Sequence, residues 1–304
     1  MTLDPRPLAN AALRDVLASA APPAIALMRL ALASPNEAAF AAAVGAIRQS
    51  AKDRRGGQEA ERLAALVALA DGAPDAWALV RALASVVPHA AREEGSMADR
   101  LAELAAAFDR AATLSPAASV ALYSLGRPEL LDAATADVVG YLETLGVIGP
   151  DRALLDIGCG VGRFERALAG KVARIVGLDI SPAMVEIARR DCAGLANIDI
   201  RLCSGADLSG VADASMDCAL AVDAFPYVVL AAGGLPRRLF EEMARVLKPG
   251  GDVLIANYSY RADLAADPSD VARLAHLNGL VVLRSDERPF RSWDGRVFHL
   301  GKKA

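Results

Sequence analysis

A run of glycines between an apolar strand and a helix constrains the fold of this 304-residue chain more than any other feature. Residues 153–157 have the pattern of a buried strand and residues 164–169 that of a starting helix, with Gly158, Gly160 and Gly162 in the turn between them. Glycine lets a backbone adopt positive φ values and lets a ligand approach without a Cβ in the way. A turn from strand into helix also directs N–H groups toward a bound group. The segment therefore predicts a nucleotide-binding β–turn–α unit.

The spacing of the turn and the residue before it narrow the class of ligand. The glycines follow G-x-G-x-G, and Arg163 stands where the dinucleotide fingerprint G-x-G-x-x-G has its third glycine. Asp156 lies just ahead of the first glycine, where a carboxylate would repel a pyrophosphate but can accept hydrogen bonds from an ammonium group. These features favour a nucleoside that carries an amino acid over a diphosphate. The alternative is a glycine turn that binds no ligand.

Residues 1–120 are rich in alanine and have the apolar periodicity of helices. Breaks at proline and glycine divide this region into predicted helices near 8–20, 23–33, 36–50, 58–70, 74–87 and 97–112. Ser34, followed by Pro35, predicts a helix cap with proline in the first helical position. Titratable groups form no catalytic pattern here. We therefore expect residues 1–120 to be a helical accessory domain that covers the substrate or joins two copies in a homodimer.

Strands and helices alternate in residues 121–304, which predicts a second domain with a mostly parallel sheet covered by helices. Asp179 ends the second strand beside the glycine turn and is placed to accept hydrogen bonds from both ribose hydroxyls. Ser181 is expected to cap the next helix, on which Met184 can lie against a purine ring. Asp207, after the third strand, could accept a hydrogen bond from an adenine amino group.

The composition excludes several classes of partner and cofactor. With 33 Lys and Arg against 37 Asp and Glu, the chain has no basic excess of the kind that nucleic-acid binding requires. Its four cysteines form no C-x-x-C pair and predict neither a disulfide framework nor a zinc site, so no metal is expected. No signal peptide and no membrane-spanning run is recognisable in the sequence. We therefore expect a cytoplasmic protein without a membrane partner.

Four stretches within residues 120–301 resemble the class I S-adenosylmethionine-dependent methyltransferases. They are Leu155-Asp156-Ile157-Gly158-Cys159-Gly160-Val161-Gly162, the strand end at Asp179, Gly205-Ala206-Asp207, and Arg245-Val246-Leu247-Lys248-Pro249-Gly250-Gly251. The resemblance implies S-adenosylmethionine as cofactor. It also implies a seven-stranded, mostly parallel sheet with helices on both faces and an antiparallel C-terminal strand. The strands near 280–284 and 296–300, joined by a short connection, agree with such an antiparallel pair.

The resemblance also implies a set of cofactor-binding residues. Asp156 and the glycine turn would hold the methionine end, Asp179 the ribose, and Ile180 and Met184 the two faces of the adenine. Tyr123, on a helix ahead of the first strand, could touch the ligand or be a half-buried core tyrosine. The complete predicted set is Tyr123, Asp156, Gly158, Cys159, Gly160, Gly162, Arg163, Asp179, Ile180, Met184, Gly205, Ala206, Asp207 and Asp223.

Methyl transfer from a sulfonium chiefly requires in-line positioning and exclusion of water, and a base only where the nucleophile arrives protonated. The predicted catalytic residues are Asp223, Tyr227, Tyr260 and Arg261, and Asn257, Tyr258 and His299 are further acceptor-side candidates. Arg261 could pair with a substrate carboxylate or be a surface residue, and His299 could simply lie on an outer strand. We expect a small-molecule acceptor with an O, N or S nucleophile.

Three alternatives to small-molecule methylation remain at the level of sequence. A protein or RNA methyltransferase would need a docking surface. A non-catalytic cofactor-binding or scaffold protein would keep the glycine turn without space for a nucleophile. A nicotinamide oxidoreductase is opposed by Asp156 and Arg163.

Overall fold

The computed structural model describes residues 7, 9–11, 13–14, 21–54, 56–88, 95–231, 233–261, 263 and 265–304. The chain divides into two compact units. The first comprises Met1–Val86, Leu114–Ala134 and Arg291–Asp294, and the second Val87–Thr113, Thr135–Phe290 and Gly295–Ala304. The boundary expected at residue 120 stays a prediction, and residues 97–113 are grouped with the sheet. The helix expected near 8–20 lies mostly outside the described residues.

The described helices follow the helical periodicity of apolar residues in the sequence. In chain order they are α1 (Pro23–Ala33), α2 (Glu37–Asp53), α3 (Gln58–Gly72), α4 (Ala76–Val86), α5 (Met97–Leu114), α6 (Pro116–Val120), α7 (Pro128–Leu145), α8 (Arg163–Leu168), α9 (Pro182–Asp191), α10 (Phe225–Ala231), α11 (Leu235–Val246) and α12 (Ala266–Leu277). A short 3₁₀ turn, Leu122–Ser124, lies between α6 and α7.

The second unit is built on one seven-stranded sheet. Its strands are β1 (Ala153–Ile157), β2 (Arg174–Asp179), β3 (Ile198–Leu202), β4 (Met216–Val222), β5 (Leu247–Ala256), β6 (Leu280–Glu287) and β7 (Val297–Lys302). They lie in the order β3-β2-β1-β4-β5-β7-β6. Strands β1 to β5 pair in parallel, and β7 is inserted antiparallel between β5 and β6. The predicted fold class is confirmed.

The core of the second unit explains why its strands are almost continuously apolar. Strands β1, β2, β4 and β5 are buried along most of their length, as expected for parallel strands covered on both faces. Helix α11 buries residues three and four apart against the sheet, namely Leu235, Leu239, Phe240, Met243 and Val246. Helix α5 adds Leu101 and Leu104 to the same core.

The helical unit has its own apolar core, which includes Leu27, Phe40, Ile47, Leu63 and Val80. One predicted cap in this unit is wrong. Helix α2 begins at Glu37 and is capped by Asn36, whose side chain accepts from the N–H of Ala39 at 2.9 Å. Ser34 instead donates its hydroxyl to the carbonyl of Leu30, at the end of α1.

Among the described helices, none is by itself both long and apolar enough to cross a bilayer. By length and composition alone, α3 and α4 together meet that requirement as a bent pair.

The parallel strands bring the predicted site residues to one edge of the sheet. The segments after β1, β2, β3, β4 and β5 all start at the carboxyl ends of these strands. In open α/β sheets, ligands bind in the crevice at this edge. The fold therefore positions the glycine turn, Asp179, Asp207 and Asp223 along the same edge of the sheet.

Candidate cofactor and acceptor site

All three glycines of the turn have a backbone conformation that only glycine adopts without strain. The φ values of Gly158, Gly160 and Gly162 are +79°, +56° and +75°. A Cβ on Gly158 would lie 2.5 Å from the Cβ of Ala224, at the start of the next crossover. The turn therefore lies directly against the end of β4.

Most N–H groups of this turn already donate hydrogen bonds to other groups of the protein. Gly158 and Cys159 both donate to the carbonyl of Leu178, at 2.8 and 3.0 Å. Gly160 donates to Asp179 at 2.9 Å, and Gly162 to the carbonyl of Cys159 at 3.1 Å. These four amides are thus unavailable to a pyrophosphate. The arrangement supports the inference that the ligand is not a dinucleotide held by its phosphates.

Asp156 lies beneath the turn as a buried carboxyl. Only 2% of its surface is exposed, and no N–H group among the described residues reaches either oxygen. Burial raises the pKa of Asp156 to about 7, with Arg163 opposing and Asp179 adding to the rise. The guanidinium of Arg163 is also buried and lies over the ring of Phe164, and its Nη1 has no partner in the described residues.

Asp179 holds the turn and the following segment in place. Its carboxylate accepts from the N–H of Gly160 at 2.9 Å and from that of Ser181 at 2.8 Å. Burial raises the pKa of this carboxyl, while these two hydrogen bonds oppose the rise. Each carboxylate oxygen has further acceptor capacity, so the predicted contact with ribose hydroxyls is compatible with this geometry.

The residues expected around the adenine come together after β2 and β3. Gly205 has a φ value of +75°, and a Cβ there would lie 2.7 Å from Cγ2 of Ile180. Ala206 packs at the edge of the core. Asp207 accepts from the N–H of Ser209 at 3.1 Å and lies 3.6 Å from the guanidinium of Arg238.

Two predicted cofactor residues have side chains that are buried in the core. Met184 is 2% exposed on α9, which Ser181 caps as predicted by accepting from the N–H of Met184. The side chain of Cys159 packs with Val185 and Ala188. A ligand contact at Cys159 would therefore come from its backbone.

Three of the predicted acceptor-side residues form one hydrogen-bonded group after β4 and β5. Asp223 has a φ value of +56° and accepts from the side-chain amide of Asn257 at 2.7 Å and from the hydroxyl of Tyr260 at 3.2 Å. The rings of Tyr227 and Tyr260 meet edge to face at 5.9 Å between centroids. Burial raises the pKa of the Tyr227 phenol far above its usual value, and the Asp223 charge adds to that rise. Tyr227 is therefore a neutral hydrogen-bonding group.

Arg261 and His299 are directed to other partners. The guanidinium of Arg261 pairs with Asp267 at 2.5 Å and with Asp270 at 2.8 Å, both on α12. His299 lies opposite Leu254 within the sheet, and its ring binds Asp252 at 2.8 Å. The structure does not bring either side chain to Asp223, and the catalytic role of Arg261 stays a prediction.

Tyr123 belongs to the helical unit. Its ring stacks on that of Trp293 with centroids 5.8 Å apart, and only 5% of its surface is exposed. Trp293 is followed by Asp294, which forms an ion pair with Arg29 at 2.6 Å. The contact of Tyr123 with a cofactor stays a prediction.

Sequence reasoning missed the contribution of α5 to this edge of the sheet. Asp109 accepts from the hydroxyl of Ser181 at 2.5 Å and from the N–H of Ala183 at 2.9 Å. Phe108 meets Tyr227 edge to face at 4.8 Å, and Leu101 lies beside Gly205. Periodicity indicated which residues of α5 would be buried, but no local signal showed what they would contact.

The chemistry of the donor set fits a cationic, ribose-bearing ligand. Orphaned carboxyl oxygens at Asp156 lie under a turn whose amides are occupied, and Asp179 lies at the end of the neighbouring strand. Residues 155–255 match the family described as a methyltransferase domain. This match and the strand order of the sheet support a class I S-adenosylmethionine-dependent methyltransferase domain in the second unit.

Sequence relatives of this methyltransferase domain cover only part of the chain. A demethylmenaquinone methyltransferase from Tropheryma whipplei (strain Twist) is 39% identical over 116 residues, which are 38% of this chain and 45% of that protein. Another, from Clavibacter sepedonicus, is 30% identical over 168 residues, 55% of this chain and 60% of that protein. The chain thus spans about half the length of these curated relatives.

One solved structure supports the fold of the methyltransferase domain. Phosphoethanolamine N-methyltransferase 1 of Haemonchus contortus, in complex with phosphoethanolamine and S-adenosylhomocysteine, matches with a TM-score of 0.52. The identity is 15%, and the match covers 68% of this chain and 49% of that one. At this identity the likeness shows the fold alone.

Proposed function

We propose that this chain transfers a methyl group from S-adenosylmethionine to a small-molecule acceptor. The observation that carries the proposal is the pair of buried carboxyls, Asp156 and Asp179, on either side of a glycine turn whose N–H groups are used internally. Such a site disfavours phosphates and offers acceptors to an ammonium group and to ribose hydroxyls. The names of the relatives, which are methyltransferases, support the same activity.

Each part of the cofactor has a corresponding group at this edge of the sheet. Asp156 and the glycine turn would hold the methionine end, Asp179 the ribose, and Ile180 with Gly205 the adenine. Bound S-adenosylmethionine supplies an activated methyl group on a sulfonium. The residues of the chain orient this group and exclude water from it.

On the acceptor side, Asp223 is the group that would orient the nucleophile. Asn257 and Tyr260 donate to its carboxylate and thereby fix its orientation. Asp223 could accept a proton from a hydroxyl or orient an amine, so it serves O, N or S acceptors that arrive protonated. Tyr227 and Phe108 add apolar ring surface beside it.

A small-molecule acceptor is favoured by charge as well as by the relatives. The formal net charge of −4 gives no general attraction for nucleic acid. Two of the matched relatives are named for demethylmenaquinone, a small molecule. We propose the same class of acceptor here without naming the molecule.

Calorimetry with S-adenosylhomocysteine tests the cofactor assignment. The folded protein is expected to bind this compound with a dissociation constant in or below the micromolar range. S-Adenosylmethionine should compete with it, and NADH should not. Absence of binding by folded protein at high micromolar ligand would refute the assignment.

A methyl-transfer screen tests the acceptor. With methyl-labelled S-adenosylmethionine, label is expected in a small-metabolite fraction. Label found only in protein or RNA would support the corresponding macromolecular methyltransferase instead. Cofactor binding with no label in any fraction would favour a scaffold protein.

The role of the helical unit stays a prediction. Sedimentation equilibrium over a range of protein concentrations tests whether the chain forms a homodimer. Its cytoplasmic location likewise stays a prediction, which fractionation of the source cells would test.

A further inference from the structure

A second buried carboxyl, Glu165, lies beside Asp156 beneath the glycine turn. Glu165 is on α8 with no exposed surface, and among the described residues its two oxygens have no hydrogen-bond partner of good geometry, although its own backbone N–H acts on the carboxyl. One of them lies 2.5 Å from the point where a Cβ on Gly177 would be. Gly177 is the direct neighbour of Asp156 across the β1–β2 ladder. The missing side chain at Gly177 therefore makes the room in which the Glu165 carboxyl reaches Asp156.

The charges around this pair do not balance if both carboxyls are ionised. Arg163 is the buried cation that acts on Asp156, and Asp179 adds another negative charge nearby. Arg166 is partly exposed and already pairs with Asp191. Burying two adjacent anions against one cation is costly. One proton held by the pair reduces that excess negative charge.

The surrounding charges favour that proton on Glu165, because Asp156 faces the buried cation Arg163, whereas the cation that acts on Glu165, Arg166, is partly exposed. Burial and the neighbouring Asp156 charge hold the pKa of Glu165 well above its usual range. A hydrogen bond from Glu165 acts in the opposite direction on Asp156 and lowers its pKa. A protonated Glu165 that donates to an ionised Asp156 accounts for both effects. It also gives the buried carboxylate of Asp156 a donor where no N–H group of the described residues reaches it.

We infer that Glu165 is a positioning residue of the cofactor site: it donates a proton to Asp156 and thereby holds Asp156 as the carboxylate that receives the ammonium group of the cofactor. The inference rests on the proposed function, because it concerns the same cofactor. Glu165 need not touch the ligand, since it acts through Asp156. The titratable and charged groups that face the pair are Arg163 and Arg166 on α8, Asp179 at the end of β2, Cys218 on β4, Cys159 in the turn and Cys192 after α9.

Two substitutions of similar length separate this role from simple packing. Glu165→Gln keeps an N–H donor toward Asp156, whereas Glu165→Met fills the space without a donor. Binding of S-adenosylhomocysteine is measured by calorimetry between about pH 5.5 and about pH 8. The exposed Glu186, on α9, gives the matched control Glu186→Gln.

We expect Glu165→Gln to bind within about threefold of wild type and Glu165→Met to bind at least about tenfold more weakly. Affinity in wild type should decline as the pH falls and Asp156 takes up a proton. In Glu165→Met this decline should begin at higher pH, because Asp156 has lost its donor. Glu165→Gln should keep the wild-type profile, and Asp156→Asn should abolish the dependence.

The outcomes distinguish the inference from the proposed function. No binding by wild type would refute the cofactor assignment itself. Binding by wild type with Glu165→Gln as weak as Glu165→Met would overturn the donor role. A Glu165→Gln profile shifted to lower pH by about one unit or more would show that Glu165 is ionised in wild type, and would overturn it as well. If Glu165→Met fails to fold, the affinity of Glu165→Gln and its dependence on pH are sufficient to decide whether Glu165 donates to Asp156.

Discussion

The side-chain amide of Asn257 donates a 2.7 Å hydrogen bond to the carboxylate of Asp223, across the carboxyl ends of two neighbouring strands. Both residues have left-handed φ values, +62° and +56°. Asn257 also accepts from the backbone N–H of Arg296 at 3.0 Å, and its own N–H donates to the carbonyl of Arg296 at 2.8 Å. The carboxylate that we propose to face the acceptor is thereby fixed to the β5–β7 pair.

The left-handed backbone at Asn257 predicts an unusual order of stability among its variants. Asn257→Gly and Asn257→Ala both lose the hydrogen bond to Asp223, but only the alanine variant is strained at this φ value. We expect the free energy of unfolding of Asn257→Ala, measured by urea denaturation, to be about 1 kcal/mol lower than that of Asn257→Gly. Asn278 has a φ value of −112° and supplies the control, in which glycine should bring no advantage. Equal stability of the two Asn257 variants would contradict the strain argument.

Asp179 is expected to be essential for cofactor affinity. Asp179→Ala removes the proposed ribose acceptor and the anchor for the N–H groups of Gly160 and Ser181. Hydrogen bonds to charged groups contribute about 1.5–3 kcal/mol each, so affinity for S-adenosylhomocysteine should fall by about 10- to 100-fold. Calorimetry measures the effect, with Asp199→Ala on the exposed ion pair with Arg201 as control. An unchanged dissociation constant would refute the ribose role.

The sheet could be predicted from sequence because its signals are local. Asp156 and the three glycines lie within a few residues of one another, and Asp179 directly ends the next apolar strand. The short connection before β7 likewise indicated an antiparallel pair, which the structure confirms. Parallel strands then necessarily bring their carboxyl ends to one edge.

The contacts that were missed depend on how the chain folds back on itself, which no local pattern in the sequence shows. Asp109 meets Ser181, 72 positions later, and a helical period cannot indicate such a partner. No local signal in the sequence marks Glu165, and only the absence of a side chain at Gly177 shows where its carboxyl lies. For Arg261 the sequence allows both a substrate carboxylate as partner and a surface position, and only the path of the chain into α12 shows that Asp267 and Asp270 pair with it.

Protonation of Glu165 should also affect stability in the absence of ligand. The pKa of its carboxyl is raised in the folded protein, so the folded state holds a proton that the unfolded state has released. This contribution is fully present below the unfolded pKa of about 4.3 and is lost as pH rises through the raised value. Glu165→Gln lacks this pH-dependent contribution to stability, because glutamine does not titrate.

The stability difference between Glu165→Gln and wild type should therefore change with pH. We expect the variant to gain melting temperature relative to wild type as pH rises from about 4.5 to about 8, by about 2–4 °C for each kcal/mol. Differential scanning calorimetry at several pH values measures this, and Glu186→Gln should show no such trend. A constant difference would mean that Glu165 titrates alike in the folded and unfolded states.

Asp109 joins α5 to the start of α9, and its loss should loosen both. Its carboxylate accepts from the hydroxyl of Ser181 and from the N–H of Ala183, in the first turn of α9. Loss of such a capping interaction costs about 0.5–2 kcal/mol. We expect Asp109→Ala to speed amide hydrogen exchange in residues 97–114 and 181–185 and to weaken S-adenosylhomocysteine binding several-fold. The exposed neighbour Arg110 gives the control Arg110→Ala, which should change neither. Faster exchange with unchanged affinity would show that Asp109 stabilises the segment without shaping the cofactor site, because Asp179 alone would then suffice to hold Ser181.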